Sequence, residues 1–417
     1  MKVKTFFKTN KEFLTNVVIS TIIGIGASFL NYYFSILLAR NLPDTEFGIY
    51  SSALGIISLV QIPSLAISSA VTKLVARNRG KSLREFKKHL FKQFFIIALV
   101  FSLIFYICSP VVSDISNIPM QYMLPLTAVL FLSFFSPLPK GILYGLEQPN
   151  KGNFLSFVES ILKILVGFIA VNLYKDSATL PILACGLPLL VTGVLLYPFI
   201  GNIKQEEEVR EKIDLKEVFT YFLLFFLLST PFTLDLSLVN PDFRAEYSAL
   251  SLLGKIVYFA SVMISSVMFS KISNLKKRDE KKSIFKVSLF ITLLIGGCLS
   301  VIYLLVPDVI NSFIYGNRYP EIAEYLGVYG VGMTLYAGTY LIYNYFIAEG
   351  YTKSIFWLVL TTILQVILFI TRNGNLEQVV QNQVLVYIVL FLGSFVLLNL
   401  HNRKMDDTGI EPVTSTM

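Results

Sequence analysis

Three lysines and two acids sit inside long apolar stretches of this 417-residue chain. A charge at the centre of a bilayer costs about 2.5–3.5 kcal/mol on helix-insertion scales, so such residues are the first candidates for function. Lys163 lies near the middle of the apolar segment 154–174, with Glu159 four residues earlier on the same helical face. An ammonium there can meet a phosphate or an acidic sugar, or it can close a local ion pair with Glu159. Lys255 lies about eight residues into segment 247–270 and either lines a polar cavity or snorkels outward. Asp235 falls near the end of segment 218–239, four residues after Pro231, which loosens a helix by removing a backbone donor. A carboxylate beside a broken helix is an ion-binding candidate; a hydrated residue at the membrane interface is the favoured alternative. Lys140 stands between Pro139 and Gly141, within snorkelling reach of the end of segment 121–146. Arg40, with Asp44 and Glu46, occupies the turn between the first two segments. It is an external gate candidate, although a turn anchored by exposed charge pairs is the plainer reading.

These residues must be positioned by membrane-spanning elements. Hydrophobic residues make up 54% of the chain and charged residues only 15%, against about 25% in soluble domains. Twelve apolar segments are legible: 16–38, 47–72, 91–109, 121–146, 154–174, 178–200, 218–239, 247–270, 284–306, 322–347, 354–371 and 383–400. Most reach the roughly 20 residues that a helix needs to cross a bilayer core. They are continuously apolar rather than alternating, which selects helices over barrel strands. The basic start Met1–Lys11 resembles a signal-peptide n-region, but the following stretch is long and ends in Ala39-Arg40-Asn41-Leu42-Pro43-Asp44, so it reads as a retained span. Of the 35 Lys and Arg residues, 27 fall on one side of this arrangement and 5 on the other. The excess marks the cytoplasmic side and puts both chain ends there. The net charge of +8 is therefore a topology signal with membrane-lipid contact, not the footprint of a nucleic-acid-binding protein. Cys108, Cys185 and Cys298 lie within apolar blocks, and the two histidines, His89 and His401, lie in basic segments, so neither a disulfide framework, a metal site nor a cofactor is expected.

The chain repeats internally. Residues 50–71 align with 247–268 at an offset of 197, with identities that include Tyr50/Tyr247, Val60/Val257, Ser64/Ser261 and Ser68/Ser265. Pro43-Asp44 matches Pro241-Asp242 with a one-residue slip, and Glu147 and Lys151 match Glu349 and Lys353 at 202. Two six-helix lobes in the same orientation follow, related by a parallel repeat; such lobes can enclose a cavity and rock about it. The expected organisation is a first lobe over 1–200, a cytoplasmic linker over 201–217, a second lobe over 218–401 and a disordered tail over 402–417. The fold class is thus an all-α polytopic membrane protein of about twelve helices.

The stretch Phe34-Ser35-Ile36-Leu37-Leu38-Ala39-Arg40-Asn41-Leu42-Pro43-Asp44-Thr45-Glu46-Phe47-Gly48-Ile49-Tyr50 resembles the start of the Wzx-type polysaccharide flippases, whose first helix ends in a pattern like L-A-R-x-L followed by E-F-G-x-Y. Ala70 to Arg77 and Ile142 to Glu147 are similar to the same family. The resemblance implies membership of the superfamily that also holds multidrug exporters and lipid II flippases, and V-shaped lobes that open alternately to either side. It implies a lipid-linked oligosaccharide as substrate, H+ or Na+ as coupling ion through a residue such as Asp235, and polysaccharide-assembly enzymes as partners. Lys255 looks like an analogue of the cavity cations that engage a diphosphate in lipid II flippases; its repeat counterpart is Ser58. Tyr32, Tyr33, Tyr340, Tyr343 and Tyr345 could stack on sugar rings, although most of the 22 tyrosines read as core or interface-belt residues. A multidrug exporter of the same superfamily is the alternative; three intramembrane lysines against two acids lean away from cationic substrates. A membrane enzyme acting on lipid-linked sugars is disfavoured, because all the outer loops are short.

Overall fold

The computed structural model describes residues 11–408 apart from 62–66, 69–70, 73–74, 76–83, 147, 201–214, 274–276, 317, 350 and 352–353. Among the described residues the chain is helical throughout and divides into two compact units, Met1–Phe226 and Leu227–Met417. Most of the expected linker, and the repeat-pair members Glu147 and Lys353, lie outside the described residues.

In the first unit, α1 (Lys11–Asn41) and α2 (Asp44–Gln61) are followed by α3 (Arg84–Ile107), the short α4 (Ser109–Ser116), α5 (Met123–Ser133), α6 (Pro137–Gly145) and α7 (Pro149–Leu173). The segment expected as the sixth span is a chain of short pieces: α8 (Thr179–Leu183), α9 (Leu187–Leu190), a π-helical turn Val191–Leu195 and a 3-10 turn Tyr197–Phe199. Pro181, Pro188 and Pro198 each remove a backbone donor there, which accounts for the fragmentation.

In the second unit, α10 (Leu215–Thr233) enters across the boundary between the units, and α11 (Asp235–Leu238) follows it. Next come α12 (Arg244–Ser273), α13 (Arg278–Leu305), the short α14 (Pro307–Tyr315), α15 (Ala323–Ala348), α16 (Ile355–Thr371) and α17 (Leu376–Thr408). The last helix runs to Thr408, past the span expected to end at 400 and into the start of the tail expected to be disordered from 402. Its end is tied down: Arg278 donates to the Asn402 carbonyl at 2.7 Å, and the His401 ring lies 4.4 Å from that of Tyr351.

Both units turn in the same way after their third long helix. A short helix opens on proline, a left-handed residue ends it (Asn117, φ 49°; Gly316, φ 65°), and a proline-led 3-10 turn feeds the next helix. Glycine and asparagine tolerate that backbone region best.

Six of the described helical segments are long and apolar enough to cross a membrane: Phe86–Ile107, Met120–Gly145, Asn150–Leu173, Thr179–Phe199, Arg278–Leu305 and Leu376–Arg403. Two shorter apolar helices cover Phe222–Thr233 and Ile355–Thr371. The remaining long helices include α15, which is rich in tyrosine and glycine and almost wholly buried. Most of its side chains are covered by protein. The reverse pattern holds on α13, where Phe290, Leu294 and Val301 are exposed while Ser288, Thr292, Gly296 and Ser300 are buried. Small and hydroxyl residues are what close helix packing in lipid favours. A Cβ at Gly296 would lie 2.7 Å from Thr334 of α15, and the Ser300 and Thr334 hydroxyls are 3.0 Å apart.

Candidate functional site

The second unit carries a buried acid. The α10 helix contains Pro231, ends two residues later and restarts at Asp235. The Pro231 carbonyl, at the break in this backbone, accepts the side-chain amides of Gln365 on α16 (3.2 Å) and Gln383 on α17. Both glutamines are fully buried, and Gln365 also donates to Gln383 at 2.9 Å. The break is thus satisfied from inside the protein, the condition for an irregular backbone at membrane depth.

Asp235 itself has no exposed surface, which removes the reading of a hydrated interface residue. Its Oδ2 accepts the Tyr247 hydroxyl at 2.6 Å, and the Tyr329 hydroxyl lies 3.5 Å away, within 3.3 Å of Ser251. Asp235 Oδ1, Gln365 Oε1 and the Tyr387 hydroxyl are buried without a hydrogen-bond partner. Lys255 is half-buried and within Coulombic reach of Asp235, but forms no ion pair with it; its ammonium lies 4.7 Å from the centre of the Phe232 ring. Tyr258, Tyr336 and Tyr340 gather beside that ring, with Tyr336 stacked on Phe232 at 5.0 Å. Just before this span, the buried Arg244 donates twice to the Val239 carbonyl (3.1 and 2.6 Å), and burial lowers its guanidinium to about 10.

In the first unit, Lys163 does not pair with Glu159. Its ammonium is half-buried, 3.4 Å from Asn31 Oδ1 and 4.7 Å from the centre of the Phe34 ring. Asn31 is held in turn by Ser160, which receives its amide at 2.6 Å. Glu159 instead accepts from Lys140 (2.7 Å), Ser136 (3.1 Å) and Thr192 (2.5 Å). An i, i+4 spacing puts two residues on one face, but here α6 offers Glu159 a closer cation. Arg40 is exposed at the end of α1. Glu46, in the same turn, accepts from the Tyr122 hydroxyl (2.8 Å) and the Ala178 backbone amide (2.6 Å), tying that turn to neighbouring elements.

Each unit therefore places one intramembrane ammonium on the face of a phenylalanine, an arrangement in which the ring quadrupole attracts the cation. Phe34 and Phe232 are 198 residues apart, the offset that relates Pro43-Asp44 to Pro241-Asp242. The lysines come from different helices, α7 in one unit and α12 in the other. At the same offset Leu37 stands where the second unit has Asp235. The sequence reading missed the two phenylalanines, Tyr329 and both glutamines. Asp235, Pro231, Lys255 and Tyr340 were legible as candidates, and the Tyr50/Tyr247 identity pointed at Tyr247. Among the described residues no three His, Cys, Asp or Glu side chains come together to hold a metal, and the three cysteines are free.

The architecture is that of an all-α polytopic membrane protein. Residues 13–241, more than half the chain, match the family described as polysaccharide biosynthesis protein, and the chain belongs to that family. Comparison with curated proteins finds no match. Among solved structures, the lipid II flippase MurJ in an inward closed conformation shares 17% identity over 92% of this chain and 87% of its own, with a TM-score of 0.71. An inward-facing multidrug resistance MATE transporter of the MOP superfamily shares 14% over 94% and 99%, at 0.70. A superfamily transporter from Pyrococcus furiosus, described as having a binding pocket of reverse polarity that suggests a different function, shares 15% over 93% and 94%, at 0.60. At these identities the likeness is one of fold.

Proposed function

We propose that the protein is a flippase that carries lipid-linked oligosaccharide units from the cytoplasmic to the outer leaflet of a cytoplasmic membrane by alternating access of two six-helix lobes, with both termini cytoplasmic. The observation that carries this reading is the pair of lysines, Lys163 and Lys255, set on aromatic faces without an acid partner among the described residues. An ammonium held in this way keeps its charge available for an anionic headgroup. With the inside negative, outward movement of an anion is favoured by about 2.3 kcal/mol per charge per 100 mV. Asp235, with its unbonded Oδ1 beside a broken helix, takes the coupling ion, H+ or Na+. Lys140 and Glu159 neutralise each other and are not assigned to the headgroup. The test is export by Lys163→Ala/Lys255→Ala at matched expression and unchanged thermal stability. Export falls at least tenfold on this account, and wild-type export by the double variant refutes it.

A second reading is export of organic cations. The buried Asp235 beside a tyrosine cluster favours it, since a carboxylate and aromatic faces both suit a cation. Its mark is drug resistance that survives loss of both lysines and disappears in Asp235→Asn.

A further inference from the structure

Lys163 and Lys255 both rest on a phenylalanine face, yet what stands four residues further along each helix differs. After Lys163 that position is Gly167, packed so closely on Phe34 that a Cβ there would lie 2.6 Å from the ring. After Lys255 it is Phe259, whose side chain is 50% exposed. An i, i+4 spacing brings two side chains to about 5–6 Å at their Cβ atoms, so Phe259 stands directly beside the lysine.

An exposed ring is ordinary where it meets lipid, but the depth of Lys255 gives this one other surroundings. Lys255 lies eleven residues past Arg244, where α12 begins, which is about 16 Å along the helix. That is half of the roughly 30 Å hydrocarbon core, too deep for a lysine to bring its ammonium to the interface. From 251 to 260 the positions left at least partly open are Leu252, Lys255, Ile256, Phe259 and Ala260, a single stripe along α12. A charge at mid-bilayer depth is costly against hydrocarbon, so the stripe that carries it faces a polar space. Phe259 therefore presents an aromatic surface to polar surroundings, next to a cation.

The ring is also held in place. It stands perpendicular to Phe232 at 6.3 Å and crosses the buried Tyr258 at 5.2 Å. Tyr258 is itself fixed between Phe232 (4.6 Å) and Tyr340 of α15 (5.6 Å). A ring fixed in this way loses little freedom when a ligand covers it. The C–H groups of a pyranose carry slight positive charge and lie flat on the negative face of an aromatic ring. An organic cation would suit the same face, but the Lys255 ammonium beside it repels one.

We propose that Lys255 and Phe259 form a two-part subsite for a sugar phosphate: the ammonium takes a phosphate oxygen and the Phe259 ring takes the face of the first sugar. Lys163, with Gly167 at the corresponding position, takes phosphate charge and no sugar. The second unit thereby distinguishes a glycosylated carrier from the bare lipid diphosphate at the sugar nearest the lipid. The inference rests on the reading of Lys255 as a headgroup contact and adds sugar specificity to it.

Native mass spectrometry of the full-length protein in lipid nanodiscs tests it with two probes, a polyprenyl diphosphate carrying one N-acetylhexosamine and the same polyprenyl diphosphate without sugar. The wild-type protein binds the first at least tenfold more tightly. Phe259→Leu keeps an apolar side chain and loses the ring; it weakens the glycosylated probe about tenfold and leaves the bare diphosphate within twofold, which also reports an intact fold. Phe259→Met serves if that variant does not fold. Phe259→Tyr retains the preference, and Lys255→Ala weakens both probes by the same factor. Equal affinity of the wild-type protein for the two probes overturns the inference, and so does a folded Phe259→Leu that keeps the preference or weakens both probes alike. Wild-type protein that binds neither probe refutes the flippase reading itself, and the inference falls with it.

Discussion

The Asp235–Tyr247 bond gives the sharpest quantitative expectation. Removing the Tyr247 hydroxyl in Tyr247→Phe takes away the 2.6 Å donor from a carboxylate with no access to water. The Tyr329 hydroxyl at 3.5 Å, and Lys255 within Coulombic reach, then remain near the charge. A hydrogen bond to a charged group contributes about 1.5–3 kcal/mol, a neutral one about 0.5–1.5. Tyr247→Phe therefore costs about 1.5–3 kcal/mol with Asp235 in place and about 0.5–1.5 in an Asp235→Asn background. At about 2–4 °C per kcal/mol for a unit of this size, the midpoint falls by about 3–12 °C in the first case and about 1–6 °C in the second. Trp357 is the single tryptophan of the chain, and it lies on α16 with its Nε1–H 3.3 Å from the Leu390 carbonyl. Its fluorescence during thermal unfolding in detergent therefore reports on the second unit. The four variants of the cycle isolate the pairwise energy. Equal costs in the two backgrounds would show that Tyr247 does not bond a charged Asp235, and the ion-coupling assignment would lose its structural basis.

Gly254→Ala places a methyl 2.3 Å from the Tyr329 ring, which has to move away from Asp235 and Ser251; overpacking of this kind costs about 1–3 kcal/mol, read by the same fluorescence melt. Gln383→Leu withdraws an amide from the Pro231 carbonyl at the helix break, for a loss of about 1–3 kcal/mol in that melt and weaker ion-coupled transport. Lys281→Met strands the buried Glu349, its partner at 2.8 Å, and costs about 3–5 kcal/mol in the same assay. Lys277→Met, at the exposed pair with Glu280, leaves the melting curve where it was.

The sequence carried the class of fold because hydrocarbon imposes so few solutions. Blocks of apolar residues of span length admit helices, and the Pro231–Asp235 spacing located the helix break to within a turn. Segment 121–146, read as one span, is interrupted before Pro137, where the proline ring removes a backbone donor. The partners of the charges were not legible. Lys163 and Glu159 share a face of α7, yet their neighbours arrive from α1, α6 and the π-helical turn, and no local pattern encodes which helix packs beside which. The cation–aromatic pairs escaped for the same reason: phenylalanine is the default filler of an apolar segment, and 35 of them conceal the two that matter. Asp235 was misplaced toward water because position along a segment gives depth but not what surrounds the helix. Tyr247, Tyr329 and Tyr387 enclose it from α12, α15 and α17.

The central claim is that the substrate is a lipid-linked oligosaccharide, and the most direct measurement is of lipids from cells depleted of this protein. A complete, single lipid-linked repeat unit, accessible only from the cytoplasmic leaflet, accumulates on this account, and wild-type protein restores its export while Lys163→Ala/Lys255→Ala does not. A lipid-linked pool of unchanged size and sidedness after depletion would contradict the account.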